Sequence, residues 1–403
     1  MLLSRAAATR LCERQPQERA LGALTERRAC NELNFSAGPG ALPVEVLQQV
    51  QEAVIALPET GVSVLGMSHR SSWFENLLLE AQQNLRELLA IPESHEVLFL
   101  QGGSTLQFSM VPMNFAPVAG AAPLYVRSGY WSAKAIDEAR AVRPLNVVWD
   151  GAPDGYRRLP SNADLLAVAA DASRKAASAN PSVPFVHYVS NETVEGLQYR
   201  QVPQSGGIPL VCDMSSDFLS QPVDVAAHAM IYAHAQKNLG PAGVTVCVID
   251  KSMMKRIPVG LPPMLDYRTH LRHGSNYNTP PVFGIYAVVL VTRWLRDAIG
   301  GIAQMQQINR AKAARLYGVI DRFPEVLRPH ADVAYRSLMN ASFRFRVGLL
   351  DALFLQKASA EGFSGLAGHR SIGGIRVSLY NAVTEAAVAQ FCEFLDDFAR
   401  AHG

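Results

Sequence analysis

Cysteine is sparse in this chain of 403 residues, and none of the five cysteines forms a Cys-x-x-Cys pair. Their scattered positions argue against a zinc site and favour a reducing compartment: Cys12, Cys30, Cys212, Cys247 and Cys392. No apolar run is long enough to cross a bilayer. An excess of one charge is also lacking, because 37 basic and 35 acidic residues leave a net charge of +2. We therefore expect a cytoplasmic protein with neither a nucleic-acid nor a membrane partner.

Lysine is scarce as well, with seven lysines against thirty arginines. One of them, Lys237, stands where a short apolar strand runs into a Gly-Pro turn, in the segment Tyr232-Ala-His-Ala-Gln-Lys-Asn-Leu-Gly-Pro-Ala-Gly-Val-Thr245. Apolar surroundings at the end of a strand lower the pKa of a lysine towards the neutral amine. A neutral amine is the form that Schiff-base chemistry with an aldehyde cofactor needs. Taken alone, the segment also fits a surface lysine at a strand–loop corner.

The length allows one large domain and a smaller one, and 49% hydrophobic with 18% charged residues is typical of a soluble globular enzyme. Residues 1–32 are rich in arginine, but Glu13, Glu18 and Glu26 argue against an organelle transit peptide. We interpret them as a disordered extension or as the product of an upstream start codon. The predicted domains are a large one over 33–295, whose N-terminal segment contributes to the other, and a small C-terminal one over 296–403.

Short apolar runs alternate with helical stretches, which predicts an α/β fold whose mostly parallel seven-stranded sheet is covered on both faces. The predicted strands are Val97–Leu100, Leu124–Arg127, Asn146–Val148, Phe185–Val189, Pro209–Cys212, Met230–Ala233 and Val244–Ile249. Pro43 predicts the start of a first helix, and Ser72 with Glu75 predicts a capping box at the start of a second.

Polar residues follow the predicted strands at the edge of the sheet where ligands collect. The first strand runs into residues 102–105 (Gly-Gly-Ser-Thr), which suit a phosphate at a helix start, although ordinary turns use the same residues. Asp213 ends the strand before the one that precedes Lys237. Pyridoxal 5'-phosphate (PLP) requires a lysine for its aldehyde and a carboxylate for its protonated ring nitrogen. The pair therefore predicts a PLP site, with a helix cap as the alternative role of Asp213.

Two identical tripeptides predict the charge of the substrate. They are His69-Arg70-Ser71 and His369-Arg370-Ser371, and the second is followed by Gly-Gly-Ile-Arg376. The arginine fork binds carboxylate and phosphate bidentately, and histidine adds a further donor. The repeated pair therefore favours a substrate with several anionic groups, while surface salt bridges are the alternative for any single arginine.

From roughly residue 33 to the C terminus, the motifs match one family in order. The matching segments are Asn34-Phe-Ser-Ala-Gly-Pro39, Met67-Ser-His-Arg-Ser71, Phe99-Leu-Gln-Gly-Gly103, Gly129-Tyr-Trp131, His187-Tyr188, Ser190-Asn-Glu-Thr193, Cys212-Asp-Met-Ser-Ser216, Ala235–Gly243, Tyr277-Asn-Thr-Pro-Pro281 and Gly368–Asn381. The chain resembles the phosphoserine aminotransferases, class V members of the fold-type I PLP-dependent enzymes. The resemblance implies the fold-type I architecture, PLP as the cofactor, and a homodimer with shared active sites.

The resemblance also implies a role for each candidate residue. Lys237 would form the Schiff base, Asp213 would pair with the pyridine nitrogen, and Trp131 would stack on the ring. Thr193 would bind the phenolic oxygen of the cofactor. The cofactor phosphate would be held by Ser104, Thr105 and Gln236, and from the partner subunit by Asn278 and Thr279. The substrate α-carboxylate would bind Arg376, and the second acidic group would bind His69, Arg70, His369 and Arg370. Ser104 and Leu106 depart from the usual family pattern, which leaves the phosphate contacts open.

The implied reaction is amino transfer between L-glutamate and 3-phosphohydroxypyruvate, giving 2-oxoglutarate and O-phospho-L-serine in serine biosynthesis. Use of 4-phosphohydroxy-L-threonine in pyridoxine biosynthesis stays open. A cysteine desulfurase-like enzyme is one alternative, but Cys392 falls in a helical pattern and Cys212 within a strand. A catalytically silent PLP-binding protein is another, but such a protein would be expected to have lost Lys237 or Asp213.

Overall fold

The computed structural model describes residues 31–118, 120–179 and 182–403. The predicted N-terminal extension therefore lies outside the described residues, except for Asn31 and Glu32. Cys12 and Cys30 lie outside them as well. Within the described residues, no helix is both long enough and apolar enough to span a bilayer.

Seven strands form the central sheet, in the order β1-β9-β8-β7-β4-β2-β3. The strands of the chain are β1 (His95–Leu100), β2 (Leu124–Arg127), β3 (Asn146–Asp150), β4 (Val186–Val189), β5 (Asn191–Glu192), β6 (Leu197–Gln198), β7 (Leu210–Asp213), β8 (Met230–His234), β9 (Thr245–Asp250), β10 (Leu327–Pro329), β11 (Asn340–Phe345) and β12 (Ile375–Ser378). Strand β9 runs antiparallel to both of its neighbours, whereas the other pairs in this sheet are parallel. The mostly parallel seven-stranded sheet is confirmed, and its strands lie where the sequence predicts them.

The two faces of this sheet contact different helices. The helices are α1 (Val44–Ile55), α2 (Ser72–Leu89), α3 (Gly103–Phe115), α4 (Tyr130–Arg140), α5 (Asn162–Ala179), α6 (Lys251–Met254), α7 (Tyr267–Arg272), α8 (Val282–Arg293), α9 (Ile302–Arg322), α10 (Leu349–Ala360) and α11 (Glu385–Ala401). On β1, Val97 and Phe99 enter a core shared with α2 and α8, and Leu98 and Leu100 enter a core shared with α3 and α4. Alternate side chains of a strand point to opposite faces, so both faces of the sheet are covered, as predicted.

The start of α2 corrects one detail of the prediction. The N-cap is Ser71, whose hydroxyl accepts a hydrogen bond from the Phe74 amide at 3.3 Å. Ser72 is already the first helical residue, so the predicted capping box with Glu75 is wrong by one position. Ser71 has the extended backbone (φ −76°, ψ 149°) that an N-cap needs, and two adjacent serines could not be separated by spacing alone.

The C-terminal part of the chain has a second sheet and its own core. Strands β10, β11 and β12 are antiparallel and form a three-stranded sheet. Its apolar side chains pack with those of α9, α10 and α11, and Leu33 and Phe35 from the start of the described chain join the same core. The domain boundary between residues 295 and 296 stays a prediction.

Candidate active site

A cavity of about 340 Å³ lies at the carboxyl ends of the parallel strands. Its volume is within the range of small-molecule sites. Seven of the predicted residues line it: Ser104, Thr105, Trp131, Thr193, Asp213, Gln236 and Lys237. They come from the segments after five different strands, so the sheet topology brings together groups that are far apart in the sequence.

Lys237 is buried in this cavity, with only 6% of its surface exposed. Its Nζ donates a hydrogen bond to Thr193 Oγ1 at 2.7 Å and lies 5.7 Å from the centroid of the Trp131 ring. The pKa of Lys237 is lowered to about 8, because burial lowers it strongly, the Asp213 charge raises it in part and the Arg376 charge adds to the lowering. An amine with this pKa is neutral often enough near physiological pH to act as a nucleophile or a base.

A glycine-rich segment covers the backbone at Lys237. The Gly40 amide donates to the Gln236 carbonyl at 2.8 Å. A Cβ at Gly40 would lie 2.8 Å from the Tyr380 ring and 3.1 Å from the Lys237 carbonyl, so only glycine fits there. Tyr380 in turn donates from its hydroxyl to the Ala37 carbonyl at 2.8 Å. The N-terminal segment and the loop after β12 therefore fix the turn that carries the lysine.

Asp213 ends β7 in the same cavity and is 4% exposed. Its Oδ1 accepts hydrogen bonds from the Ser215 amide at 3.0 Å and from the Ser215 hydroxyl at 2.5 Å. Burial raises the pKa of Asp213, and the Ser215 hydrogen bonds act in the opposite direction. A buried carboxylate of this kind gains stability when a cationic N–H becomes its partner.

The predicted phosphate cradle has the backbone of an anion site. Gly102 (φ +91°) and Gly103 (φ +64°) lead directly into α3, whose first amides are not used by the helix. A Cβ at Gly102 would lie 2.5 Å from Leu106 Cδ2, so Leu106 closes one side of the turn. The Ser104 hydroxyl is hydrogen-bonded to the Ser215 hydroxyl at 2.6 Å, and Ser215 in turn is hydrogen-bonded to Asp213.

Three of the predicted substrate residues lie beside the cavity without lining it. The His369 ring is centred 4.4 Å from the ring of Tyr130, which precedes Trp131 on α4. Burial, then the charges of Arg376 and Arg370, lower the pKa of His369. The Arg376 Nε is buried and has no hydrogen-bond partner among the described residues. A buried guanidinium edge without a partner is suited to an incoming carboxylate.

The other four predicted residues, His69, Arg70, Asn278 and Thr279, do not line the cavity of their own chain. His69 Nε2 lies 3.5 Å from Thr279 Oγ1, and Gln101 donates to the Thr279 carbonyl at 2.9 Å and to Asn278 Oδ1 at 3.4 Å. Arg70 follows His69 and is exposed. Their predicted action on the cofactor and substrate of a partner subunit stays a prediction.

Comparison with known proteins identifies the family. A model of the class-V aminotransferases matches residues 32–391. The phosphoserine aminotransferase of Geobacillus kaustophilus is 44% identical over 367 residues, which cover 91% of this chain and 98% of that protein. The solved phosphoserine aminotransferase from Bacillus circulans subsp. alkalophilus has a TM-score of 0.86 at 40% identity, with 93% and 99% covered. The PLP-bound enzyme from Trichomonas vaginalis has a TM-score of 0.82 at 33% identity, with 91% and 99% covered. The chain belongs to the phosphoserine aminotransferase family.

Membership confirms the family resemblance, the fold-type I architecture and the enzyme class, a class-V aminotransferase. It does not support the desulfurase-like alternative, and the described cysteines do not either. Cys212, Cys247 and Cys392 are all buried, and none lines the cavity. Burial raises the pKa of the Cys392 thiol to about 12 and that of the Cys212 thiol well above its usual range. Protonated buried thiols are poor nucleophiles.

One residue that holds the site together has no role assigned by the sequence. Glu192 is fully buried and accepts hydrogen bonds from the Trp131 amide at 2.9 Å, the Ser132 amide at 3.0 Å and the Ser128 hydroxyl at 3.1 Å. It therefore caps the first turn of α4 and fixes the position of Trp131. The sequence did contain a signal for this role, because Glu192 is an acidic residue that closely follows an apolar strand and directly precedes Thr193.

Proposed function

We propose that this chain catalyses PLP-dependent amino transfer between L-glutamate and 3-phosphohydroxypyruvate, which gives O-phospho-L-serine and 2-oxoglutarate in L-serine biosynthesis. The observation that carries the proposal is the buried Lys237 amine facing the same cavity as the buried Asp213 carboxylate. The relatives named as phosphoserine aminotransferases support the choice of substrates, because the chain covers nearly their whole length. The arginines and histidines beside the cavity supply the charge that two anionic substrates require.

The donor set of the cavity fits PLP. Lys237 would hold the aldehyde, Asp213 would accept a hydrogen bond from the ring nitrogen, and Thr193 would contact the phenolic oxygen. Trp131 would cover the ring, and its buried Nε1 has no hydrogen-bond partner among the described residues. The phosphate would meet the start of α3 with the side chains of Ser104, Thr105 and Gln236. When bound, PLP supplies a carbonyl carbon that accepts the amino group and a ring that withdraws electrons from the substrate.

The protein's own groups then perform the proton transfers and the positioning. The Lys237 amine would take the proton from the substrate α-carbon as a base, and the ammonium formed in this way would act as the acid that gives the proton back. The carboxylate of Asp213 would favour the protonated form of the ring nitrogen. Arg376 orients the α-carboxylate bidentately, which places the α-carbon proton near Lys237. Lys237 and Asp213 are both buried, which limits the access of bulk water to their side chains.

Both substrates carry a second acidic group, a carboxylate in one and a phosphate in the other. We assign that group to His369 and Arg370 from one chain and to His69 and Arg70 from the partner chain of a homodimer. Support for the dimer comes from the position of His69 and Arg70 outside the cavity of their own chain. The segment before them also exposes Leu65 (65%) and Val62 (47%), and exposed apolar side chains are common at interfaces.

The substrate assignment is tested with the purified PLP-loaded enzyme. Glutamate-dependent amination should favour 3-phosphohydroxypyruvate over unphosphorylated hydroxypyruvate by at least about 100-fold in kcat/KM, because two guanidinium groups lose their phosphate partner in the second case. The measurement is 2-oxoglutarate formation with each acceptor. A preference for the unphosphorylated acid would contradict the assignment of the arginines.

The shared active site is tested by mixing two inactive variants. In a heterodimer of K237A and R70A chains, the site that keeps Lys237 receives an intact Arg70 from the other chain. Coexpression of the two variants in equal amounts should therefore restore about a quarter of the wild-type activity, since half of the dimers are mixed and each has one complete site. A pair of K237A and R376A chains is the matched control, because both residues are assigned to the same chain's site, and it should restore none. Absence of recovery in the first pair would show that Arg70 acts on its own chain.

A further inference from the structure

A second cavity lies beside the small sheet and shares no lining residue with the catalytic cavity. Its volume is about 580 Å³. Its walls come from the loop after β3, from β10 and β11, and from the turn at residues 371–373. These residues directly follow His369 and Arg370 in the chain, so the second cavity adjoins the segment assigned to the substrate.

Two arginines of this cavity face each other across the sheet. Arg328 on β10 is directly opposite Arg344 on β11 in the antiparallel register, and both are exposed. Like charges opposite one another on adjacent strands destabilise a sheet. Within the described part of the chain, neither arginine forms an ion pair with an acid, and Arg344 donates a hydrogen bond only to the Ile372 carbonyl. The fold therefore keeps two adjacent positive charges without a counter-ion of its own.

The nearby acids do not neutralise this pair, because they are already engaged. Asp332 pairs with Arg157 at 2.7 Å, and Asp154 pairs with Arg158 at 2.8 Å. Arg157 and Asp154 are themselves part of the cavity wall, and Ser371 also lines it, with its hydroxyl 2.7 Å from His369 Nδ1. Arg157, Arg328 and Arg344 against Asp154 give the lining a net positive charge.

The two arginines share their face of the small sheet with Arg376. Ser342 and Arg344 are two residues apart on β11 and so point to one face, and Ser342 is opposite Arg376 on β12. Arg328, Arg344 and Arg376 consequently lie on a single face of the sheet. The opposite face carries Phe343 and Ile375, which belong to the apolar core.

We propose that Arg328 and Arg344 form a second anion-binding site for a small phosphomonoester or inorganic phosphate, separate from the catalytic cavity. Two guanidinium forks match a phosphate dianion in charge and in geometry, and a filled site removes the repulsion between Arg328 and Arg344. The site does not depend on the aminotransferase reaction.

The test is calorimetric titration of the PLP-loaded enzyme with inorganic phosphate at constant ionic strength, which keeps screening equal in all samples. The wild type should bind phosphate at two classes of site per chain. R328Q should weaken one class by about tenfold or more while leaving kcat unchanged, and R328K should retain most of that binding because it keeps the charge. Arg315, an exposed arginine on α9 that lines neither cavity, supplies the control, and R315Q should bind like the wild type.

Two further arms separate this site from the proposed function. R370Q should remove the other class of phosphate site and keep the one that depends on Arg328. Titration with O-phospho-L-serine identifies the source of the ligand. If O-phospho-L-serine binds the Arg328-dependent site more tightly than inorganic phosphate does, the ligand is a phosphorylated amino acid. If it binds more weakly, the ligand is free phosphate. Phosphate binding by R328Q that equals the wild type at both classes of site would overturn the proposal, whatever R370Q does.

Discussion

Replacement of Lys237 by alanine is expected to lower kcat by at least about 10³-fold, because the reaction loses the group that moves the α-carbon proton. The fold should remain intact, since the side chain makes one hydrogen bond, to Thr193. The measurement is steady-state 2-oxoglutarate formation together with a circular dichroism spectrum. K134A is the control, because Lys134 lies on α4 close to Trp131 but pairs with Glu138 at the surface. Near wild-type turnover in K237A would refute the assignment of the lysine.

The same lysine should also make stability depend on pH. In the folded protein without cofactor its pKa is about 8, against 10.5 for an ordinary lysine, so the unfolded chain binds more protons between these values. K237M should therefore be more stable than the wild type at pH 7. The expected gain is roughly 2 kcal/mol, from a burial penalty on the order of 3 kcal/mol less about 1 kcal/mol for the lost hydrogen bond. This advantage should shrink as the pH rises from about 8 to 10, and denaturant titrations of the two apoproteins measure it.

Replacement of Asp213 by asparagine is expected to lower kcat by about 10²–10³-fold. The amide cannot hold a proton on the ring nitrogen of PLP, so the ring withdraws electrons less effectively at the α-carbon. The fold should tolerate the change, because burial already raises the pKa of this carboxyl and a neutral amide keeps the shape. Stopped-flow absorbance with glutamate measures the first half of the reaction, and the spectrum of bound PLP reports the protonation of its ring.

Asp217 offers a matched control for this variant. It is also a buried aspartate, with 3% exposure, but it accepts hydrogen bonds from Ser190 and from Gln198 and does not line the cavity. D217N should lower the midpoint of thermal unfolding because its hydrogen-bond partners lose the carboxylate. It should leave the spectrum of bound PLP unchanged. An altered spectrum in D217N together with a normal one in D213N would show that Asp217, and not Asp213, contacts the ring nitrogen.

The strands of the central sheet could be predicted because the sequence pattern of each strand is local. A parallel strand buried on both faces is a short continuous apolar run, and turn residues separate each run from the next. The seven runs therefore became β1 to β4 and β7 to β9 with shifts of one or two residues at their ends. The helix start at Ser71 was missed because two adjacent serines have the same propensity, and only the backbone angles distinguish the N-cap.

Two buried lysines show where sequence reasoning about the site ends. Lys312 is 1% exposed and its ammonium donates to three backbone carbonyls, of Leu379, Tyr380 and Val383, at 2.9–3.0 Å. Lys237 is as deeply placed but faces a cavity and a single hydroxyl. Residue type alone does not tell which of the two lysines is catalytic. The motif around residue 237 was needed to identify it.

Residue types and their local spacing determined which groups of this chain can carry out the chemistry: an amine, a carboxylate and an indole at the ends of predicted strands, and guanidinium groups in two matching tripeptides. The tertiary structure decided which of them meet. It brought the buried Glu192 to the Trp131 amide, and it placed Arg328 opposite Arg344, neither of which forms an ion pair with an acid among the described residues. Both arrangements depend on contacts between distant segments, and hydrogen bonding and charge repulsion act over distances in space rather than along the chain.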